Sequence, residues 1–152
     1  MNAAAFLAAL LALLPVPAAR RACIVARRDA IIAQADAAAL ADGVPVGVLL
    51  VVAFLESHIG CAPRSGACWG APIDPRHRQT AGNARSASRA LAWGYRRCHT
   101  TLGAISHFRS GRCVSGRLVG YRPEDAVRLL DRVTARAAGV AAAEAATAAG
   151  AR

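Results

Sequence analysis

The fold is decided by residues 45–57, which read PVGVLLVVAFLES. Proline favours the first turn of a helix, and a helix that is apolar on all sides belongs in a core. The β-branched residues here would also suit a buried strand, but the length of the stretch and the proline before it favour a helix. We therefore predict one buried central helix that ends in Glu56-Ser57.

The segments on either side of this helix differ in character. Residues 24–40 carry apolar side chains at helical spacing, and Asp42-Gly43 ends that helix, as glycine often does at a C-terminus. Residues 59–82 hold glycine, proline, serine and two cysteines. This composition is typical of an irregular loop.

Further helices are predicted after that loop. Asn83 is a favourable N-cap for a helix that runs to residue 98, a short helix over residues 101–108 ends at Ser110-Gly111, and Pro123 opens the last helix. The candidate core positions of the last helix are Ala126, Val127, Leu129, Leu130 and Val133. The predicted fold class is therefore mainly α, with about five helices around one hydrophobic helix.

The first residues resemble an export signal. Residues 3–18 are a short apolar run that ends in Val16-Pro17-Ala18, with small residues suited to cleavage after Ala18. The alternative, an N-terminal anchor, would be short for a membrane span. We expect a signal peptide over residues 1–18, a single domain over 19–136 and an Ala-rich tail over 137–152 that is a frayed helix or disordered. The protein would be exported, to the periplasm or the extracellular space.

The composition limits the classes of function. The chain has 152 residues, of which 55% are hydrophobic, so it has the length of one domain and enough apolar residues for a core. Nineteen basic residues, all arginine, against nine acidic ones give a net charge of +10. This excess implies an anionic partner: nucleic acid, a membrane surface or an acidic wall polymer. The arginines are scattered along the chain, which counts against nucleic acid and membranes.

Five cysteines lie after the expected cleavage site. In a small exported protein they suggest disulfides. We predict the pairs Cys61–Cys68 and Cys98–Cys113, because each brackets one short segment, and an unpaired Cys23. Zinc on Cys61, Cys68 and His77 is the competing interpretation, but the chain has no Cys-x-x-Cys and no His-Glu-x-x-His. No metal and no cofactor are expected.

Glu56 is the candidate catalytic residue. It alone among the nine carboxylates ends an apolar helix, and it shares a helix face with Leu49, Val52 and Ala53. Burial disfavours the charged form of a carboxyl group, and a carboxyl that keeps its proton near neutral pH can serve as a general acid. The alternative is a glutamate that points to solvent or pairs with Arg64.

The helix that closes in Glu56-Ser57 resembles the active-site helix of the soluble lytic transglycosylases, within the wider lysozyme-like superfamily. Further stretches resemble motifs of that family in the same order: Ser65-Gly66-Ala67, the helix pattern of Asn83, Ala87 and Leu91, residues 104–111, and Tyr121 before the last helix. The resemblance spans residues 24–133. Two stretches depart from the family: Gly-Leu-Met-Gln is here Cys68-Trp69-Gly70-Ala71-Pro72, and Tyr-Asn is here Phe108-Arg109.

The resemblance implies a lysozyme-like fold and cleavage of the β-1,4 bond between N-acetylmuramic acid and N-acetylglucosamine, with Glu56 as acid and base. It also implies substrate contacts, with Trp69 on a groove wall. At Arg109 the chain departs from the family, and arginine in place of asparagine puts a cation near the site that would suit a charged peptide stem. The implied substrate-binding residues are Ser57, Ser65, Trp69, Phe108, Arg109 and Tyr121.

The expected partners are peptidoglycan glycan strands and anionic wall polymers. No nucleic acid and, after signal cleavage, no integral membrane span are expected, and the protein should be a monomer. Two alternatives to the transglycosylase stay open. One is a lysozyme-type hydrolase that uses water, with Asp74 as the first candidate base, and the other is a peptidoglycan-binding module without catalysis.

Overall fold

The computed structural model describes residues 2–62, 69, 83–114 and 120–150. Over these ranges the chain forms seven α-helices and no strand, so the prediction of a mainly helical protein is confirmed. The helices are α1 (Ala3–Leu13), α2 (Ala18–Ala26), α3 (Arg28–Asp42), α4 (Val46–Ser57), α5 (Ala84–Cys98), α6 (Thr101–Ser110) and α7 (Pro123–Gly150).

Helix α4 is the centre of the core, as the sequence predicts. Residues 48–53 are each at most 1% exposed, and α4 contacts α1, α3, α5 and α7. Burying one Leu or Val side chain contributes about 1.5–3 kcal/mol. The hydrophobic run therefore packs against four other helices, and this packing fixes where the C-terminal end of α4 emerges.

The helix ends follow the local chemistry of the chain. Gly43 takes a left-handed backbone (φ 67°) after α3, and Gly111 does the same (φ 72°) after α6. The Asn83 side chain accepts a hydrogen bond from the Ser86 amide at 2.8 Å, as an N-cap should. The one helix expected over residues 24–40 is interrupted at Arg27, which divides it into α2 and α3.

Helices α5 and α6 meet at a glycine. A Cβ atom on Gly94 would lie 2.8 Å from the carbonyl oxygen of Ala104 and 2.9 Å from its Cα. These are backbone atoms, which cannot move aside as a flexible side chain can. Gly94 therefore permits the close approach that positions α6 and the residues it carries.

The expected signal peptide forms α1, which lies in the core. Phe6, Leu7 and Leu10 are at most 1% exposed, and α1 contacts α3, α4 and α7. The Ala3 amide also donates to Asp36 Oδ1 at 3.2 Å. Cleavage after Ala18 stays a prediction, and it would take this helix out of the core described here.

The C-terminal residues continue α7. The sequence placed a boundary at residue 136, but the helix runs on without a break to Gly150. Ala137 is 2% exposed and belongs to the core, whereas Val140 is 46% exposed. The contact between α7 and the rest of the protein therefore extends past the expected boundary.

Two disulfides brace the helices. The pair Cys98–Cys113 is confirmed. The predicted pair Cys61–Cys68 is wrong, because Cys61 is bonded to Cys23, with the two Cα atoms 5.9 Å apart. Cys23 is not the unpaired cysteine, since α2 brings it beside the turn after α4, a long-range contact that spacing does not reveal. Cys68 lies outside the described residues.

Among the described residues, no helix combines the length and the apolar character that crossing a membrane requires.

Candidate active site

Glu56 lies on the last turn of α4, at the rim of the core. Val52 and Ala53, on the same helix face, are fully buried, but the Glu56 side chain is 24% exposed. The apolar helix therefore carries the carboxyl to the border between core and solvent. This position is less buried than the sequence predicts.

An arginine meets this carboxyl from α6. Arg109 Nε lies 3.1 Å from Glu56 Oε1 and donates a hydrogen bond to it. The Arg109 side chain is only 12% exposed. A solvent-facing Glu56 does not describe this geometry, because Glu56 is held by a residue 53 positions along the chain. Arg64, the other alternative partner, lies outside the described residues.

Tyr121 completes the group by packing against Arg109. The Arg109 guanidinium stacks over the Tyr121 ring, 4.1 Å from its centroid, and Nη1 donates to the Tyr121 carbonyl oxygen. A cation over an aromatic face is attracted by the ring quadrupole. We call Glu56, Arg109 and Tyr121 the Glu56 cluster, and all three are residues that the sequence predicts for the site.

The hydroxyl of Tyr121 is buried and remains neutral. Burial raises the pKa of Tyr121 well above its ordinary value, and the nearby Glu56 carboxylate raises it further. Glu56 acts on this hydroxyl electrostatically, but within the described residues no hydrogen bond of normal geometry reaches it. A buried polar group without a partner is costly, so it marks a position where a hydrogen bond could still form.

The backbone immediately after α4 is strained. His58 (φ 50°), Ile59 (φ 55°) and Gly60 (φ 78°) all have left-handed conformations, and we call residues 58–60 the α4 turn. This conformation is unfavourable for a β-branched residue such as Ile59. Such strain tends to be found at functional sites, where the surrounding structure holds it in place.

Hydrogen bonds from the end of α4 hold this turn. The Ile59 amide donates to the Ala53 carbonyl at 3.1 Å. Ser57 Oγ donates to the same carbonyl at 3.2 Å and accepts from the Gly60 amide at 2.9 Å. Ser57 is 2% exposed, so its hydroxyl stabilises the turn from a position below the protein surface.

Helix α2 fastens the α4 turn from outside. The Cys23–Cys61 disulfide joins the two, and Arg27 Nη1 donates to the Ile59 carbonyl at 3.3 Å. Arg20 lies 3.4 Å from the ring nitrogens of His58. Burial lowers the pKa of His58, and the Arg20 charge lowers it further.

This role of α2 is not among the expectations from the sequence. Arg20, Cys23 and Arg27 are spaced three and four residues apart, so they share one helix face. That spacing is the signal that could have shown one side of α2 to be a contact surface.

Two of the remaining predicted site residues, Phe108 and Trp69, lie in the core. Phe108 is 7% exposed and belongs to the core. Trp69 is 1% exposed and is also in the core, so the structure does not have it on a groove wall, where its ring could stack on a sugar. Ser65 and Asp74 lie outside the described residues. The two aromatic side chains lie in the core because burying a large ring removes the most apolar area from water.

A second carboxyl is held in an ion pair away from this site. Asp42, at the end of α3, is 11% exposed and lies 3.2 Å from Arg85. A cleft of about 330 Å³ beside Arg85 is lined by residues of α3 and α5, and another of about 460 Å³ lies between α1 and α7. Neither cleft is lined by a member of the Glu56 cluster. Among the described residues, no three His, Cys, Asp or Glu side chains gather as a metal site would require.

Comparison of the chain with protein-family models, with curated protein sequences and with solved structures gives no match. Among the described residues, the Glu56 cluster and its chemistry therefore bear most directly on function.

Proposed function

We propose that this protein is a peptidoglycan lytic transglycosylase with a lysozyme-like fold, and that Glu56 is its acid and base. The observation that carries the proposal is the position of Glu56: a carboxyl at the rim of the core, on the end of the central helix and directly before a strained turn. General acids are commonly carboxyl groups in partly desolvated positions.

The proposed reaction needs one carboxyl. Glu56 in its protonated form gives its proton to the glycosidic oxygen, and the bond between that oxygen and C1 of N-acetylmuramic acid breaks. The Glu56 carboxylate then takes the proton of the C6 hydroxyl, whose oxygen bonds to C1 and closes a 1,6-anhydro ring. No water is consumed, and Glu56 returns to its starting form.

The described neighbours of Glu56 suit this route. Hydrolytic glycosidases generally use a second carboxylate close to the first. The two described residues that act on Glu56 are Arg109 and Tyr121, a cation and a neutral phenol. In the proposed reaction, the Tyr121 hydroxyl would donate a hydrogen bond to the carboxylate form.

The protein's charge suits an acidic wall. A net charge of +10 attracts anionic polymers and raises their concentration near the surface. Two disulfides fit an oxidising compartment outside the cytoplasm. These features support export to the periplasm or the extracellular space and peptidoglycan as the partner.

One observation favours the second candidate, a peptidoglycan-binding module without catalysis. Glu56 is engaged by Arg109, and a carboxylate in an ion pair has no proton to give. If this pair persists on the glycan, the Glu56 cluster would bind it and leave it intact.

Product analysis separates the candidates. Purified peptidoglycan sacculi are incubated with the protein, and the released muropeptides are identified by mass spectrometry. A transglycosylase releases fragments with 1,6-anhydromuramic ends, whereas a hydrolase releases reducing ends that are heavier by one water. Binding to the sacculi without any soluble fragment would refute the transglycosylase proposal and support the binding module.

A further inference from the structure

The ion pair between Arg109 and Glu56 cannot persist during catalysis. Arg109 holds Glu56 in an ion pair of 3.1 Å, and it is itself held by the ring and the carbonyl oxygen of Tyr121. The ion pair requires the carboxylate form of Glu56. The acid step requires the protonated form, so the pair must open before the bond can break.

We propose that Arg109 is a specificity-determining residue, which releases Glu56 when it binds a carboxylate on the peptide stem of the substrate. This inference rests on the proposed function. The stem carboxylate takes the place of the Glu56 carboxylate as acceptor for Arg109. Glu56 then loses its cationic partner and is left beside the neutral hydroxyl of Tyr121.

The geometry favours such an exchange. A guanidinium offers several donors in one plane and matches a carboxylate with two parallel hydrogen bonds. The Tyr121 ring supports one face of the Arg109 guanidinium, so the group keeps that support while its acceptor changes. Because one carboxylate replaces another, the exchange costs far less than leaving the partly buried arginine without an anion.

The position of the pair makes it accessible. Glu56 is 24% exposed and Arg109 is 12% exposed, so the ion pair lies at the surface of the core and not inside it. A substrate that reaches Glu56 also reaches Arg109. A glycan strand without peptide stems would bring no carboxylate to this position and would leave the pair closed.

The test compares two substrates. One is glycan with its peptide stems, and the other is the same glycan after an amidase has removed them. We expect the wild type to cleave the stem-bearing glycan about 10–100-fold faster, the range that hydrogen bonds to charged groups supply. Arg109→Gln should bring the two rates together, since cleavage of the bare glycan rises and cleavage of the stem-bearing glycan falls.

Two further variants serve as controls. Arg109→Lys keeps the charge but not the planar donor group, so it should retain part of the preference. Arg112→Gln removes the same charge at an exposed position after α6, and its preference should equal that of the wild type. Thermal unfolding of each variant shows whether it is folded.

The outcomes are distinguishable. If the wild type cleaves both glycans at the same rate, or if Arg109→Gln keeps the full preference, the inference is refuted and the proposed function stands. If the wild type cleaves neither glycan, the proposed function fails and this inference fails with it.

Discussion

Removal of the Cys23–Cys61 disulfide should lower the free energy of unfolding by an amount that follows from the length of the loop it closes. The double variant Cys23→Ala/Cys61→Ala opens a link between residues 38 positions apart. The chain-entropy relation gives about 3.9 kcal/mol for this loop at 25 °C. The matched variant Cys98→Ala/Cys113→Ala opens a link of 15 positions, for which the relation gives about 3.0 kcal/mol.

The assay is denaturant unfolding of both variants, together with amide hydrogen exchange. The amides of Ile59, Gly60 and Ala62 are bonded within and beside the α4 turn. Their protection should fall in the Cys23/Cys61 variant by more than its global loss of stability explains, because α2 no longer fastens the turn. In the Cys98/Cys113 variant, protection should follow global stability alone.

Two results would refute this reasoning. One is a cost below about 1 kcal/mol for the Cys23/Cys61 variant, which lies far under the range for a native disulfide. The other is equal loss of protection at residues 59–62 in both variants. Peptide mapping of the wild type under non-reducing conditions provides the control, since it should find Cys23 bonded to Cys61.

Three further predictions concern the core, the helix contacts and pH. Leu10 is fully buried, so Leu10→Ala should lower the free energy of unfolding by about 2–5 kcal/mol in a mature protein that keeps α1. Terminal sequencing of the exported protein shows whether α1 is present, and an unchanged stability with α1 present would contradict the structure. Gly94→Ala should destabilise the protein by about 1–3 kcal/mol, since the new Cβ would lie 2.8 Å from the carbonyl oxygen of Ala104. The control Gly139→Ala, whose Cβ would have nothing within 4 Å, should stabilise the protein by about 0.5–1 kcal/mol through helix propensity. Chemical denaturation measures both changes, and equal effects would refute the close approach. The pKa of His58 is lowered from 6.5 in the folded state, so the unfolded state binds more protons as the pH falls through 6.5. The free energy of unfolding should therefore fall on acidification over about pH 7 to 5. His58→Asn, in which asparagine tolerates the left-handed backbone, should reduce that fall, and identical pH profiles would show that His58 contributes nothing.

The parts of the fold that the sequence predicts are those set by local chemistry. Glycine at 43 and 111, proline at 45 and 123, and asparagine at 83 each act on their own neighbours, so the helix ends could be placed from spacing alone. The division of one expected helix at Arg27 carried no such signal.

The parts that could not be predicted depend on contacts between distant segments. The partner of Cys61 is chosen by where α2 lies, and a short apolar run such as residues 3–13 reads alike as an export signal and as the core helix α1. The burial of Trp69 likewise depends on the assembled core.

The candidate site could be predicted in part: its residues could be named from the sequence, but their contacts could not. The composition of α4 singles out Glu56. The motif resemblance predicts that Arg109 and Tyr121 belong to the same site. The ion pair itself, across 53 positions, is visible only in the structure.

The central claim is that Glu56 moves the proton in glycan cleavage. The direct measurement is the rate at which 1,6-anhydro muropeptides form from sacculi with wild type, Glu56→Gln and the control Asp131→Asn, an exposed acid on α7 that undergoes the same chemical change. Glutamine can still accept the hydrogen bond from Arg109, so the variant should fold and bind glycan, but it cannot act as a carboxylic acid. We predict a loss of about 10²–10⁴-fold for Glu56→Gln and wild-type rates for Asp131→Asn. Anhydro products from the Gln variant at a rate similar to the wild type would contradict the account.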